Sequence, residues 1–571
     1  MNIIKLFNKI FIPLLILFSI ARSYIGYYIP YWFRIRGIHD DLVLFSYSNL
    51  THHFTQWNIN SLVKTMSYPI FLFFVKISHI PYGICLSILW IISGLLVIYA
   101  IYKFVCKNKL LLLLIFIFII FMPIAFDVYA GARVYRNAIM IPSIISCLTS
   151  LFIFISLAIS KNKNTKQIIL WGIILGVIFT FNYYIKEDGI LTMPIFLVSI
   201  LSVILYNFYE HRNKKMIKYA VICLIPILIF GASTLTYKEV NNHYFGISEI
   251  NTRTGGEFGE FWQNLLKIDD ENKNNTIWVT STTLEKAWNA SPTLHSRPDL
   301  LNGMIKSNWT KNLTTYLIKG DHVAWQLREI MWKVGLYPNE KEANDFMKQV
   351  NDELEMSFEN GTLNKSDKIF ITPLANGKSI NEIYDTKNHF IIGFENCLFY
   401  KHIDTKTHVQ KDSTRYHKSK LIKPMEKSLN QHLYKETEVN NSPFHQKIVY
   451  KFIDLDIQIY QVISYLLVVL SCLSFIYLVI YQFKNKFKNR QNNILIGFEF
   501  MLLATFIVQI FAIGWFCCFL EPLNPMKYYT IANNGIFALF EVLAISGAIK
   551  IFMSKNKNKL LKKYSKIVGY E

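Results

Sequence analysis

The sequence predicts an all-α polytopic membrane protein with about ten transmembrane helices, seven and then three, and a mostly helical extracytoplasmic domain inserted after the seventh. Three observations predict this fold class. Apolar runs long enough to cross a bilayer recur along the chain. Short Lys- and Arg-rich turns separate alternate runs. One long polar stretch, residues 238–451, interrupts them. Hydrophobic residues make up 52% of the sequence, as expected of a chain that lies mostly in lipid.

Seven apolar runs form the first part of the chain. They cover residues 10–28, 82–105, 110–126, 139–160, 168–185, 190–209 and 217–237. Residues 69–80 are also apolar but are too short to span a bilayer and contain Lys76 and His79, so we expect them to lie along the membrane interface.

Three further runs, residues 457–483, 494–516 and 531–552, close the chain. Basic turns at residues 107–109, 161–163, 212–215 and 484–486, together with the Lys-rich tail, all fall on the cytoplasmic side if there are ten helices. Three parts follow: a membrane module at 1–237 with a first outer loop at about 29–80, the extracytoplasmic domain at 238–451, and a three-helix module with a basic cytoplasmic tail at 452–571.

The charge of the chain does not indicate nucleic-acid binding. The formal net charge is +21, but most Lys and Arg residues occur in short clusters between apolar runs, which is the pattern of membrane topology signals. No soluble segment combines a basic face with interleaved exposed aromatics. The sequence also lacks a Walker loop, a dinucleotide fingerprint, a zinc-protease motif and a nucleophile elbow.

Three helices are predicted inside the polar stretch. Apolar residues spaced as on one helix face follow Asn339 and continue to Gly361. A capping box at Thr282 to Glu285 predicts the start of a second helix, and residues 323–336 predict a third. Residues 401–446 have little periodicity, so we expect loops or disorder there.

Two adjacent carboxylates, Asp40 and Asp41, lie in the predicted first outer loop. Neighbouring carboxylates raise each other's cost of ionisation, so one of them could act as a base near neutral pH. The alternative is structural, because Asp is also common at helix N-caps and in solvated loops.

Arg133 and Arg136 lie in a short turn on the predicted outer side, where Arg is disfavoured. A spacing of three puts both guanidinium groups on one side of a helical turn, where they could bind a phosphate together. The alternative is that both side chains reach lipid headgroups.

A second acidic cluster on the outer side consists of Lys186, Glu187 and Asp188. Asp188 could cap the following helix, or the cluster could face Asp40 and hold the acceptor or a divalent cation. His39, His52 and His53 lie near the acidic pair, but their spacing matches no closed zinc pattern. The sequence therefore predicts no definite metal site.

Residues 1–237 resemble the membrane module of C-type (GT-C) integral-membrane glycosyltransferases, the superfamily of protein O-mannosyltransferases and aminoarabinose transferases. The resemblance rests on seven helices, the loop with Asp40-Asp41, an interfacial stretch and the outer turn with two arginines. Further landmarks look like uncharacterised bacterial members with an Asp-Asp first outer loop: Leu44-Phe45 after the acidic pair, Lys64 before Tyr68-Pro69, Glu187-Asp188-Gly189-Ile190, and His322 to Arg328.

The resemblance implies an enzyme of the bacterial cytoplasmic membrane that takes a sugar from a polyprenyl-phosphate donor on the outer face, with inversion. Asp40 would deprotonate the hydroxyl of an envelope glycan, lipid or protein acceptor. Arg133, Arg136 and Lys64 would bind the donor phosphate, and His39 and the Lys186–Asp188 cluster would lie near the acceptor. Members pair Asp with Glu where this chain has Asp-Asp, so the identity of the base stays open between Asp40 and Asp41.

Two other functions were weighed against the enzyme. A flippase or transporter of lipid-linked envelope precursors would carry charges at mid-helix, but here the sequence predicts helices nearly free of charge at their centres. A non-enzymatic surface assembly protein would need only the extracytoplasmic domain and would leave Asp40 and Asp41 unexplained.

Overall fold

The chain folds entirely into helices in the part that the structure describes. This computed structural model describes residues 2–34, 40–161, 163–210, 214–306, 318–372, 374–403 and 420–568. Within those ranges there is no β-sheet, and the only strand-like pairings are three isolated bridges. The prediction of an all-α polytopic membrane protein is confirmed at this level.

The helices before the inserted domain follow the apolar runs. They are α1 (Asn2–Tyr28), α2 (Asp40–Tyr47), α3 (Leu50–Thr55), α4 (Ser67–Ser78), α5 (Tyr82–Phe104), α6 (Lys109–Ile120), α7 (Asn137–Ala158), α8 (Thr165–Tyr183), α9 (Met193–Glu210), α10 (Lys214–Cys223) and α11 (Ile225–Phe245). Nearly every residue of α7 is buried, because α7 packs against α5 and α8 and against the last helix of the chain.

Eight helices in the described ranges are long and apolar enough to cross a membrane, or nine if α10 and α11 are one bent span. About ten were predicted from the sequence. One difference lies at residues 109–125, where α6 stops after 12 residues and a 3-10 turn, Pro123–Ala125, follows it. Pro123 lacks a backbone donor, so it cannot continue the helix ladder. The other difference is a 43° bend between α10 and α11.

The inserted domain has a separate hydrophobic core, to which Trp515, Cys518 and Phe519 from the end of the bundle also contribute. Its helices are α12 (Gly256–Lys267), α13 (Ser281–Ala290), α14 (Pro292–His295), α15 (Pro298–Ile305), α16 (His322–Lys333), α17 (Glu340–Glu359) and α18 (Ile380–Asp385). The three predicted helices are present. Asn339 caps α17, whereas α13 is capped by Thr280, two residues before the predicted start.

The end of the predicted domain belongs to the membrane bundle. Helix α19 (Lys387–Phe399) precedes residues 401–446, which were expected to form loops, whereas α20 (Ile422–Leu429) and α21 (Glu436–Asn440) lie within that stretch. The rings of Phe390 and Phe394 in α19 pack against those of Phe511 and Phe506, respectively. The remaining helices are α22 (Phe444–Lys484), α23 (Arg490–Cys517), α24 (Leu523–Tyr529) and α25 (Ile531–Val568).

The membrane helices are not as free of charge as the sequence suggested. Arg22, Asp456, Glu499 and Glu541 are buried within α1, α22, α23 and α25, respectively. A single charged residue inside a long apolar run barely changes the average hydropathy of that run, so the hydropathy pattern did not reveal these four residues.

Candidate active site

The candidate site lies at one end of the helix bundle, next to the inserted domain, and we call this the domain end. It is formed by residues 29–34 and 40–81, the turn 121–136, residues 184–192, and the connection 518–530. Two contacts join these segments: the Ser67 amide donates to the Tyr184 carbonyl at 3.2 Å, and Trp32 forms a β-bridge with Arg133. All described candidate residues lie at this end.

Asp40 is the partly exposed carboxylate of the group. It begins α2, where the positive end of the helix dipole favours an anion. One oxygen, Oδ2, lies 2.8 Å from Lys64 Nζ and accepts a hydrogen bond of 3.1 Å from the Tyr135 hydroxyl. The Arg136 guanidinium is 3.9 Å away. Because 32% of the Asp40 side chain is exposed, another molecule can reach it.

The pKa of Asp40 is lowered by its surroundings, whereas the adjacent carboxylates had predicted a base that titrates near neutral pH. Burial raises the pKa of Asp40, but the positive charges of Lys64 and Arg136 outweigh it, so the net pKa lies below the usual value. Asp40 is therefore ionised in the resting protein. Its neighbour Asp41 pairs with a different cation, Arg133.

Asp41 and Arg133 form a buried pair. Arg133 donates from Nε to Asp41 Oδ2 at 2.8 Å and from Nη2 to Oδ1. The Asp41 side chain is fully buried and that of Arg133 is 8% exposed. The guanidinium also lies over the rings of Trp32, Tyr135 and Tyr528. Nε and Nη2 of Arg133 thus both donate to Asp41, whereas Arg136 faces Asp40.

Glu187 lies among three cations. Its Oε2 is 2.8 Å from Arg136 Nη1, and its Oε1 is 3.7 Å from Lys64 Nζ and 3.6 Å from Arg253 Nη2. Burial lowers the pKa of Lys64, although Asp40 and Glu187 act in the opposite direction. Lys64, Arg136 and Glu187, which are far apart in the sequence, are thus brought together around Asp40.

The acidic cluster at 186–188 divides between two partners. Glu187 joins the group around Asp40, whereas Asp188 pairs with Lys186 at 3.0 Å, and the Lys186 ammonium lies over the Tyr529 ring. Asp188 is not the cap of α9, because it lies inside a 3-10 turn, Glu187–Thr192. His39 lies outside the described residues.

A divalent cation finds no support in the structure. Within the described ranges, no group of three or more His, Cys, Asp or Glu side chains could hold a metal ion. His53, which was considered with the acidic pair, instead packs against the rings of Tyr47 and Phe245.

Among the members of the site that sequence reasoning missed, three come from the inserted domain. Arg253 is 3.0 Å from Asp321, and Trp325 lies beneath two cations, with its ring centre 5.2 Å from Lys64 Nζ and 5.3 Å from the Arg253 guanidinium carbon. The stretch His322 to Arg328 had been noted only as a family landmark. No sequence signal marked Arg253.

A buried arginine joins the inserted domain to the first loop. Arg328 donates from Nε to the Ile59 carbonyl at 2.5 Å and from Nη2 to Thr252 Oγ1 at 2.8 Å, and it pairs with Glu340 at 3.1 Å. The contact fixes the loop that carries Lys64 against the domain that carries Arg253.

The site could bind an anion and accept a proton. Cations that are already desolvated interact strongly with a phosphate, and an ionised carboxylate beside them can act as a base. Comparison of the chain with protein families, curated proteins and solved structures finds no match. Its function is therefore argued from this geometry.

Proposed function

We propose that the protein is a membrane glycosyltransferase that moves a sugar from a polyprenyl-phosphate donor to a cell-envelope glycan, lipid or protein. One observation carries the proposal: the partly exposed Asp40 carboxylate lies 2.8 Å from a buried lysine, beside Arg136, at the end of a helix bundle. A lipid-linked phosphate would approach such a site from the bilayer, and an acceptor hydroxyl would approach from the aqueous side.

The arrangement of charges supports ten crossings with the site facing outward. The eight long helices, the bent pair and the short helix at Lys109–Ala125 make ten when added. Basic residues of the turns meet at the end opposite the site, where Arg490 and Lys163 both pair with Glu210. Because basic turns stay in the cytoplasm, the domain end would face the outside of a bacterial cytoplasmic membrane.

The proposed reaction is a single displacement. The acceptor oxygen forms a bond to the anomeric carbon, and the bond from that carbon to the phosphate oxygen breaks on the opposite face. The phosphate leaves with the bonding electrons and is stabilised by Lys64 and Arg136, while Asp40 takes the proton of the acceptor hydroxyl.

The low pKa of Asp40 has a consequence for this step. A carboxylate strongly stabilised by Lys64 and Arg136 is a weak base in the resting protein. A donor phosphate bound by the same cations would weaken their hold on Asp40 and raise its basicity. The base would therefore become stronger when the donor is bound.

The test is sugar transfer by the purified full chain from synthetic short-chain polyprenyl-phosphate sugars. Asp40→Asn keeps the size of the side chain but cannot accept the proton, so the rate should fall roughly 100- to 10,000-fold. The matched control is Asp299→Asn, an acidic residue paired with Arg297 at the surface of the inserted domain, which should leave transfer unchanged. Full sugar-transfer activity of Asp40→Asn would refute the proposed mechanism.

A transporter remains the second candidate because of Glu499. This side chain is fully buried in a membrane helix, and neither carboxylate oxygen has a hydrogen-bond partner among the described residues. Buried intramembrane acids often belong to transport paths. A transporter predicts that Glu499→Gln blocks movement of a lipid-linked sugar across proteoliposome membranes, and that Asp40→Asn does not.

A further inference from the structure

Glu187 is surrounded by positive charge from three separate parts of the chain. Lys64 comes from the first loop, Arg136 from the start of α7 and Arg253 from the inserted domain. Only the Arg136 contact, at 2.8 Å, is within hydrogen-bonding distance. In the described part of the chain, Glu187 Oε1 accepts no hydrogen bond. Charge, rather than hydrogen bonding, holds this oxygen near Lys64 and Arg253.

Hydrogen bonds between two chain segments that are distant in the sequence place Arg253 beside Lys64. The Thr252 amide donates to the Leu62 carbonyl at 2.8 Å, and the Asn251 side chain donates to the Val63 carbonyl at 2.9 Å. The segment before Arg253 therefore runs along the segment before Lys64. The half-buried Trp325 ring lies within cation–π distance of both cations.

The group is charge-balanced, and Asp40 is its most exposed carboxylate. Three cations face the three carboxylates of Asp40, Glu187 and Asp321. The exposed fractions of the acidic side chains are 32% for Asp40, 12% for Glu187 and 17% for Asp321. An incoming ligand would therefore meet Asp40 first. It could bind to all three cations only by taking the position of one resident carboxylate.

We propose that Lys64, Arg136 and Arg253 form a three-cation cradle for a lipid phosphate, as the diester of the donor and as the monoester that leaves, and that Glu187 is the resident anion which the phosphate displaces. The inference rests on the proposed function for the identity of the ligand as a lipid phosphate. It adds Arg253 as a binding residue and Trp325 as a positioning residue, so that the inserted domain completes the site. Together with Asp40 and Asp321, Glu187 balances the charge of the three buried cations while no ligand is bound, because an uncompensated buried charge is costly.

The experiment measures binding of radiolabelled farnesyl phosphate to the purified full chain in detergent. Arg253→Gln removes one charge-assisted contact and should weaken binding about tenfold. Arg253→Lys keeps the charge and should lose less. Glu187→Gln removes the competing anion and should tighten binding about tenfold. Arg297→Gln, which changes an arginine paired with Asp299 elsewhere in the same domain, is the control and should bind as the native chain does.

The direction in which Glu187→Gln changes the affinity for farnesyl phosphate tests whether Glu187 is the displaced anion. If Glu187→Gln binds less tightly although it melts at the native temperature, Glu187 is a ligand and not a displaced anion, and the inference fails. Equal affinity of Arg253→Gln and the native chain also overturns it. Competition by inorganic phosphate supports a site for the phosphate group, whereas competition by farnesol alone would show binding through the lipid tail and would overturn the cradle.

Binding and transfer separate this inference from the proposed enzyme. Farnesyl phosphate binding in the expected order, without sugar transfer from any donor, would keep the cradle and reject the glycosyltransferase. Sugar transfer that depends on Asp40, together with donor binding that does not depend on Arg253, would keep the glycosyltransferase and reject the cradle.

Discussion

The buried pair of Asp41 and Arg133 should be the main electrostatic support of the site, and its removal should cost far more stability than the loss of a surface pair. We consider Asp41→Ala and Asp41→Asn. The first removes both acceptors of the Arg133 fork. The second leaves one amide oxygen, which can still accept one of the two hydrogen bonds.

The magnitude follows from burial. The Asp41 side chain is fully buried and that of Arg133 is 8% exposed, and removing one partner of a buried pair costs about 3 to 5 kcal/mol because the other charge stays unpaired. Three aromatic rings around Arg133 offset part of this loss. We therefore expect about 3 kcal/mol for Asp41→Asn and about 5 kcal/mol for Asp41→Ala.

The assay is equilibrium unfolding of the purified chain in mixed detergent and sodium dodecyl sulfate, followed by tryptophan fluorescence. Asp299→Asn breaks a surface pair in which the acidic side chain is 47% exposed, so it should cost less than about 1 kcal/mol. A double variant, Asp41→Leu with Arg133→Met, leaves no unpaired charge and should recover most of the loss. A loss below about 1 kcal/mol for Asp41→Ala would refute the reasoning that this pair is a structural support.

Two further predictions concern pH and topology. The pKa of Asp40 is lowered from its usual value of 3.8, so its ionised form stabilises the fold, fully so above pH 3.8, and this contribution is lost only as the pH falls below that value. For the proposed enzyme, the pH profile of kcat/KM should therefore show no titration of Asp40 between about pH 5 and pH 7. The acid limb of the kcat profile, which reports the donor complex, should lie at higher pH than that of kcat/KM. An acid limb of kcat/KM near pH 6 that vanishes in Asp40→Asn would contradict this prediction. In intact cells, a cysteine at position 360 should react with a membrane-impermeant maleimide and one at position 485 should not, and the opposite labelling would reverse the proposed orientation.

Hydrophobic periodicity predicted the helices well because each depends on residues close together in the sequence. Helix α5 was expected at residues 82–105 and is found at Tyr82–Phe104. The signal weakened where an apolar run carries a backbone break. Run length alone could not show that Pro123 ends the regular helix or that the chain bends between α10 and α11.

The candidate site was predictable only in part. Asp40 could be identified because it belongs to an adjacent acidic pair, and Arg136 because Arg is disfavoured in a short turn predicted to lie on the outer side. Arg253 lies in a polar stretch where arginine is ordinary, and its position depends on hydrogen bonds from the Thr252 amide and the Asn251 side chain to the carbonyls of residues 62–63. Pairing of segments almost 190 residues apart leaves no local pattern in one sequence.

The geometry of a helix explains why the two adjacent carboxylates take different roles. Asp40 and Asp41 are both in the first turn of α2, and successive residues of a helix point about 100° apart. Adjacency in the sequence therefore separates the two carboxylates rather than pairing them. Asp41 points into the bundle and is neutralised by Arg133, whereas Asp40 points to the opening, with Lys64 and Arg136. Only Asp40 is both reachable and held by cations that a phosphate could engage, so of the two it is the one we propose as the base.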